Sequence, residues 1–171
     1  MLSIIEKILG LIFVATRPNI SGHWYFLLRF EHASHGDYLG MLVQWQANML
    51  SKGEEISGSA ERRSESSLRH PPFIYRHESR QKADIKGIMR YAIRPRCGWV
   101  VDLHLVHKAN GGARETTASH TLGRVTKQAM DGTFCSDASD SSGRVSWSRQ
   151  LFRLSDMTFF SKHEGIHVKA K

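Results

Sequence analysis

Hydrophobic positions recur with two different periods along this chain. Over residues 2–15, LSIIEKILGLIFVA, Ile5, Ile8, Leu9 and Ile12 fall at helical spacing, and Leu11, Phe13 and Val14 widen the apolar face. The spacing predicts an apolar N-terminal helix within residues 1–17. Glu6 and Lys7 interrupt the segment, so it lacks the continuous core of a secretory signal. Its unbroken apolar run, 8–15, is shorter than the ~17–25 residues needed to span a bilayer. Two placements fit this pattern. The helix caps the end of a folded domain, or it lies in a membrane interface with Arg17 at headgroup level.

From Ser21 onward the period shortens to two. Trp24, Phe26, Leu28 and Phe30 alternate with His23, Tyr25, Leu27 and Arg29, and Ser34-His35-Gly36-Asp37 turns the chain. Leu39, Met41, Val43 and Trp45 mark a second strand, and Ile56, Gly58, Ala60 and Arg62 a third, whose small residues suit a sharp bend or a close neighbour. A polar loop follows at 63–72, then a short edge strand at 73–76. The meander resumes with Ile85, Gly87, Met89, Tyr91 and Ile93, turns at Arg94-Pro95-Arg96, and continues through Trp99, Val101, Leu103 and Leu105. Weaker strands are predicted at 114–119, 121–127 and 130–136, and a last one over 140–149 carries Val145, Trp147 and Arg149 on one face.

About eight strands at roughly ten-residue spacing predict an all-β antiparallel meander, a pattern that a two-sheet sandwich shares; short hairpin connections and the removal of edges by closure favour an antiparallel up-and-down β-barrel over residues 20–150. Residues 151–171 form a C-terminal extension. A length of 171 residues, 40% of them apolar, fits one such domain with a self-sufficient core. Cys97 and Cys135 make neither a CxxC pair nor a disulfide framework, so both read as reduced thiols of a cytoplasmic protein.

The net charge of +8 is unevenly spread. Between Arg62 and Arg96 ten basic residues face three acidic ones, leaving that stretch at +7. Such a field attracts phosphates, anionic headgroups or acidic proteins. Catalysis and metal chemistry find little support. GxSxG, HExxH and the Walker loop are absent. His104 and His107 point to opposite faces of one strand, and His163 and His167 sit in a basic tail without a third ligand. The expectation is therefore a non-enzymatic protein with no metal and no cofactor.

Gly22-His23-Trp24 opens the first strand and Arg149 closes the last. This resembles the calycin pattern of lipocalins, in which a G-x-W tryptophan at the barrel bottom is covered by an arginine from the final strand. The resemblance implies structural roles for Gly22, Trp24 and Arg149. A second likeness lies in the order of parts: an apolar N-terminal segment, RPNISGHW at 17–24, the meander, then DGTF at 131–134 running into SSGRV at 141–145. This layout is similar to the membrane-associated β-barrel effectors of bacterial cyclic-oligonucleotide anti-phage signalling (CBASS) systems, in which membrane helices precede a ligand-sensing barrel. It implies an effector domain that senses a cyclic nucleotide and is tethered or capped by residues 1–17. The chain departs from that pattern in having at most one membrane-associated segment and an inserted basic loop.

Tyr91 and Trp99 flank the 94–96 turn with the inward parity of Met89 and Val101, and Arg62 shares the parity of Ile56 and Gly58. Aromatic rings with arginines at the rim suit a purine and its phosphate, through stacking and bidentate hydrogen bonds. The expected ligand is thus small and anionic, stacked on Tyr91 and Trp99, with Arg62, Arg94 and Arg96 on its phosphates. The 63–72 loop and the 94–96 turn would then flank one opening. The alternative is a surface module that applies its basic stretch to nucleic acid or anionic membrane, with Tyr91 and Trp99 serving only as core.

Overall fold

The computed structural model describes residues 17–67, 71–92, 98–108 and 115–153. The N-terminal helix predicted within 1–17 lies outside these residues except for Arg17, as do Arg94, Arg96, Cys97, His163 and His167. Among the described residues no helix is long and apolar enough to cross a membrane.

The described residues form nine strands: β1 (Gly22–His32), β2 (Leu42–Lys52), β3 (Glu55–Ser66), β4 (Phe73–Ile74), β5 (Lys82–Ala92), β6 (Gly98–His107), β7 (Thr116–Gly123), β8 (Ala129–Ser136) and β9 (Ser141–Ser148). Their order is β2-β1-β9-β8-β7-β6-β5-β3-β4, and a further β2–β3 pairing closes the sheet. Every pairing is antiparallel. The result is a closed eight-stranded barrel with the two-residue β4 appended to the far end of β3, an arrangement consistent with a calycin-like fold. Closure removes the unpaired edges that an open sheet of this size would expose.

The period-two pattern becomes the inside and outside of the barrel. Trp24, Phe26 and Leu28 of β1, Val43, Trp45 and Ala47 of β2, Ile85 and Met89 of β5, and Val101, Leu103 and Leu105 of β6 are all buried in one core. Four rings stack across its middle in the order Trp147, Phe26, Trp45, His107, with centroid separations of 4.3, 5.8 and 5.0 Å. On the outer face Leu27 and Leu42 pack against Phe152, whose carbonyl accepts a 3.1 Å hydrogen bond from Gln44. The first residues of the C-terminal extension thereby lie against the wall formed by β1 and β2.

Two expectations about strands are corrected. The separate strands at 114–119 and 121–127 are one strand, β7, because His120 faces inward with Ala118 and Leu122 and does not break the alternation. The polar loop expected from residue 63 begins later, since β3 continues to Ser66 and pairs with β2 along its whole length.

Candidate functional site

The two ends of the barrel are built differently. At the end where β1 starts and β9 finishes, Trp24 is fully buried and its indole N–H donates to the Ile20 carbonyl at 2.7 Å. The Arg149 guanidinium lies 4.0 Å from the centre of the Trp24 ring and donates to the carbonyls of Ser21 and His23, each at 2.8 Å, and to that of Lys127 at 3.1 Å. Gly22 adopts φ +108°, a backbone angle that favours glycine, and a Cβ there would crowd the Arg149 guanidinium at 3.0 Å. A second cation on a ring closes the same end: Arg17 sits 5.2 Å from the Trp99 ring centre and reaches Glu54 at 3.4 Å. Tyr91 meets Trp99 edge to face at 5.4 Å.

At the opposite end the interior is not filled. A cavity of about 210 Å³ lies between Leu28, Phe30, Val43, Trp45, His107 and Phe134, with Tyr38 and Arg62 in its wall. Tyr38 and Arg62 also line an adjoining groove of about 760 Å³, bounded by His35, Asp37, Glu65, Phe73 and Tyr75. Together they make a mouth leading from the surface into the core.

A β-bulge shapes that mouth. In the β2–β3 register Gln44 opposes Ser64 and Trp45 opposes Arg62, so Arg63 is the extra residue. Without it Arg62 and Glu65, three apart, would point to opposite faces. With it Arg62 opposes the inward Trp45 and Glu65 opposes the inward Val43, so both enter the mouth. There they form an ion pair, each side chain mostly buried, and Arg62 also lies 5.3 Å from the Tyr75 ring centre. Burial and the Glu65 carboxylate, only partly offset by Arg62, push the Tyr75 hydroxyl up to about 12. Burial, reinforced by the Arg62 charge, pushes His107 down to about 4, so its imidazole is neutral at pH 7. Thr116 Oγ1 lies 3.2 Å from His107 Nδ1.

Deeper still, His120 is fully buried among Phe26, Phe134 and Trp147, with ring centroids 5.4, 6.1 and 5.9 Å away. Burial, with a smaller contribution from His107, pushes its pKa down to about 3. Among the described residues neither of its ring nitrogens has a hydrogen-bond partner, nor do the indole nitrogens of Trp45 and Trp147.

The structure does not gather the predicted ligand residues at one opening. Arg62 is at the mouth, whereas Tyr91 and Trp99 are at the plugged end with Arg17. Arg94 and Arg96 lie outside the described residues, between Ala92 and Gly98, which pair with each other at that same plugged end. The reason is topological. Consecutive hairpin connections alternate between ends, and β5, an 11-residue strand of roughly 35 Å, separates the connection after β3 from the one after β5. Conversely, Trp45, His107 and Tyr75 were not foreseen at the site, although His107 carries a legible signal, the inward parity of Leu103 and Leu105.

Among the described residues no group of three or more His, Cys, Asp or Glu side chains could hold a metal ion. His104 is exposed on the outer face of β6, and Cys135 is an exposed free thiol. No protein-family model, curated protein or solved structure matches the chain, so its fold and this mouth stand on their own geometry.

Proposed function

We propose that this protein is a non-enzymatic, small-ligand-binding β-barrel that takes its ligand through the mouth opposite Trp24 and Arg149. The observation that carries this reading is the asymmetry of the two ends: one is sealed by a buried tryptophan under an arginine, and the other keeps a cavity of about 210 Å³ opening into a groove of about 760 Å³. Small-molecule sites typically occupy ~300–1,000 Å³ and are mostly apolar with a few placed polar groups. The walls here follow that description, with Phe30, Trp45 and Phe134 beside Tyr38, Arg62, His107 and Thr116.

A cyclic nucleotide is the ligand class implied by the likeness to anti-phage effectors, and its phosphate would meet Arg62 by displacing Glu65 from it. The alternative of a basic surface module is less favoured, because three of the ten basic residues of that stretch are already held by carboxylates. Arg62 holds Glu65, Arg80 approaches Glu61 at 3.5 Å, and Arg90 holds Asp102 at 3.0 Å.

The test is a thermal-shift screen against cyclic nucleotides, lipids and neutral planar aromatics, on the parent and on two variants. Thr116→Phe fills the mouth, and Tyr91→Leu alters the plugged end. A true ligand of the mouth should raise the melting temperature of the parent and of Tyr91→Leu, and leave Thr116→Phe unmoved. Stabilisation that survives Thr116→Phe would place binding elsewhere and overturn the reading.

A further inference from the structure

Beyond β9 the chain turns back along the outside of the barrel toward the open end. Ser148, the last residue of β9, stands opposite Tyr25 near the plugged end. Four residues later Phe152 packs on Leu27 and Leu42, and its carbonyl accepts from Gln44. Leu42 stands opposite Arg29 of β1, about 13 Å nearer the mouth than Tyr25 at ~3.3 Å per residue. Its chain neighbour Met41 and its ladder partner Ser66 both line the groove of about 760 Å³. Phe152 is thus anchored at the edge of the mouth. Residues 154–171, LSDMTFFSKHEGIHVKAK, follow it outside the described residues.

The rim of the groove is apolar where it meets solvent. Phe73 and Ile74 make up β4, which ends the order of strands, and they are 55% and 58% exposed. Two adjacent large apolar side chains beside an open groove form a patch of the kind that contacts use. Among the lining residues Asp37 and Glu65 outnumber Arg62, so with histidine neutral the groove is formally negative. The stretch 157–163, MTFFSKH, is complementary to both features: two aromatic side chains in sequence, then a cation. Distance is no obstacle. β3 and β4 lie one and two strands beyond β2, which puts Phe73 about 10 Å across the sheet from the level of Leu42 at ~4.8 Å per strand. The seven or eight residues from Phe152 to Phe159 and Phe160 reach up to ~25 Å when extended.

We propose that the chain's own C-terminal extension covers the mouth, with Phe159 and Phe160 in the groove beside Phe73 and Ile74, and Lys162 on its acidic side. The docking stands on the placement of Phe152 and the groove. Its consequence rests on the reading of this mouth as a ligand site: an entering ligand must displace the segment, which makes residues 154–163 a gate.

Photocross-linking tests the docking. Irradiation of the 171-residue chain carrying Phe160→p-benzoylphenylalanine, in dilute solution, should join position 160 to the groove of the same molecule, with Met41 and Phe73 foremost by mass spectrometry. Cross-links to the plugged end or to a second molecule, or none above those of the urea-unfolded chain, would overturn the docking and leave the ligand site standing. Nile red then tests the gate. In the double variant Phe159→Ser/Phe160→Ser its fluorescence should rise at least about threefold over the parent, as a newly uncovered apolar patch allows. Groove cross-links with unchanged Nile red fluorescence would overturn the gate and the reading of the mouth as a ligand's way in, while the docked segment stands.

Discussion

The Arg149 guanidinium lies over the Trp24 indole at 4.0 Å while its N–H groups hold the backbone carbonyls of Ser21, His23 and Lys127 around it. One side chain directly after β9 therefore seals the ring, the start of β1 and the turn before β8. The Trp24 indole N–H is satisfied from below by the Ile20 carbonyl, so the plug buries no unpaired donor of its own.

Trp24→Ala should cost roughly 3–5 kcal/mol in urea unfolding, as truncation of large core aromatics does. Arg149→Ala should cost less, but a double-mutant cycle with Trp24→Ala should show coupling of about 1 kcal/mol, the size expected of a partly buried cation on a ring. Additive losses would mean that the two residues stabilise the end independently.

Gly58 lies where two strands cross closely. A Cβ built there falls 2.2 Å from the Asn48 carbonyl oxygen of β2, a backbone atom that cannot swing away. Gly58→Ala should therefore destabilise the barrel by more than about 2 kcal/mol, through overpacking and displacement of the β2–β3 ladder. Gly123→Ala, where nothing stands within 4 Å of the new methyl, should stay within about 0.5 kcal/mol. Similar melting temperatures for the two variants would contradict the close approach.

His120 is a neutral imidazole in an aromatic belt, and its two nitrogens have no partner among the described residues. His120→Leu, of similar volume and without polar atoms, should raise stability at pH 7 by about 1 kcal/mol or more. A loss above about 2 kcal/mol would show that the imidazole has a stabilising partner after all.

Acid should weaken the fold through the same group. The folded pKa of His120 is depressed to about 3 and that of His107 to about 4, both below the ordinary 6.5. Between those values and 6.5 the unfolded chain binds protons that the folded one does not. Stability attributable to these residues is thus level above about pH 6.5, declines as pH falls through the window, and levels off below the folded values. Chemical denaturation from pH 7 to pH 4 should show His120→Leu losing up to about 1.4 kcal/mol per pH unit less than the parent. Parallel curves for the two proteins would exclude His120 from the acid response.

Period-two alternation is a local property, and it determined most of the strands, their inward faces and the all-β antiparallel class of the fold. Trp24, Phe26 and Leu28, or Val101, Leu103 and Leu105, read as core in the sequence and are core in the barrel. The pairing of Gly22 and Trp24 with Arg149 was also legible, because a motif at the start of the first strand and a residue at the end of the last must meet once a sheet closes on itself. What alternation cannot encode is which end of the barrel a residue reaches, since that depends on the direction of every strand before it. Arg62 therefore parts company with Tyr91 and Trp99, although all three face inward. Nor can a regular period announce the single extra residue at Arg63, which turns Glu65 inward beside Arg62 and so makes the mouth. Only the closed ladder, with eight strands in register, decided those positions, because side chains distant in sequence come together there through strand count, direction and one bulge.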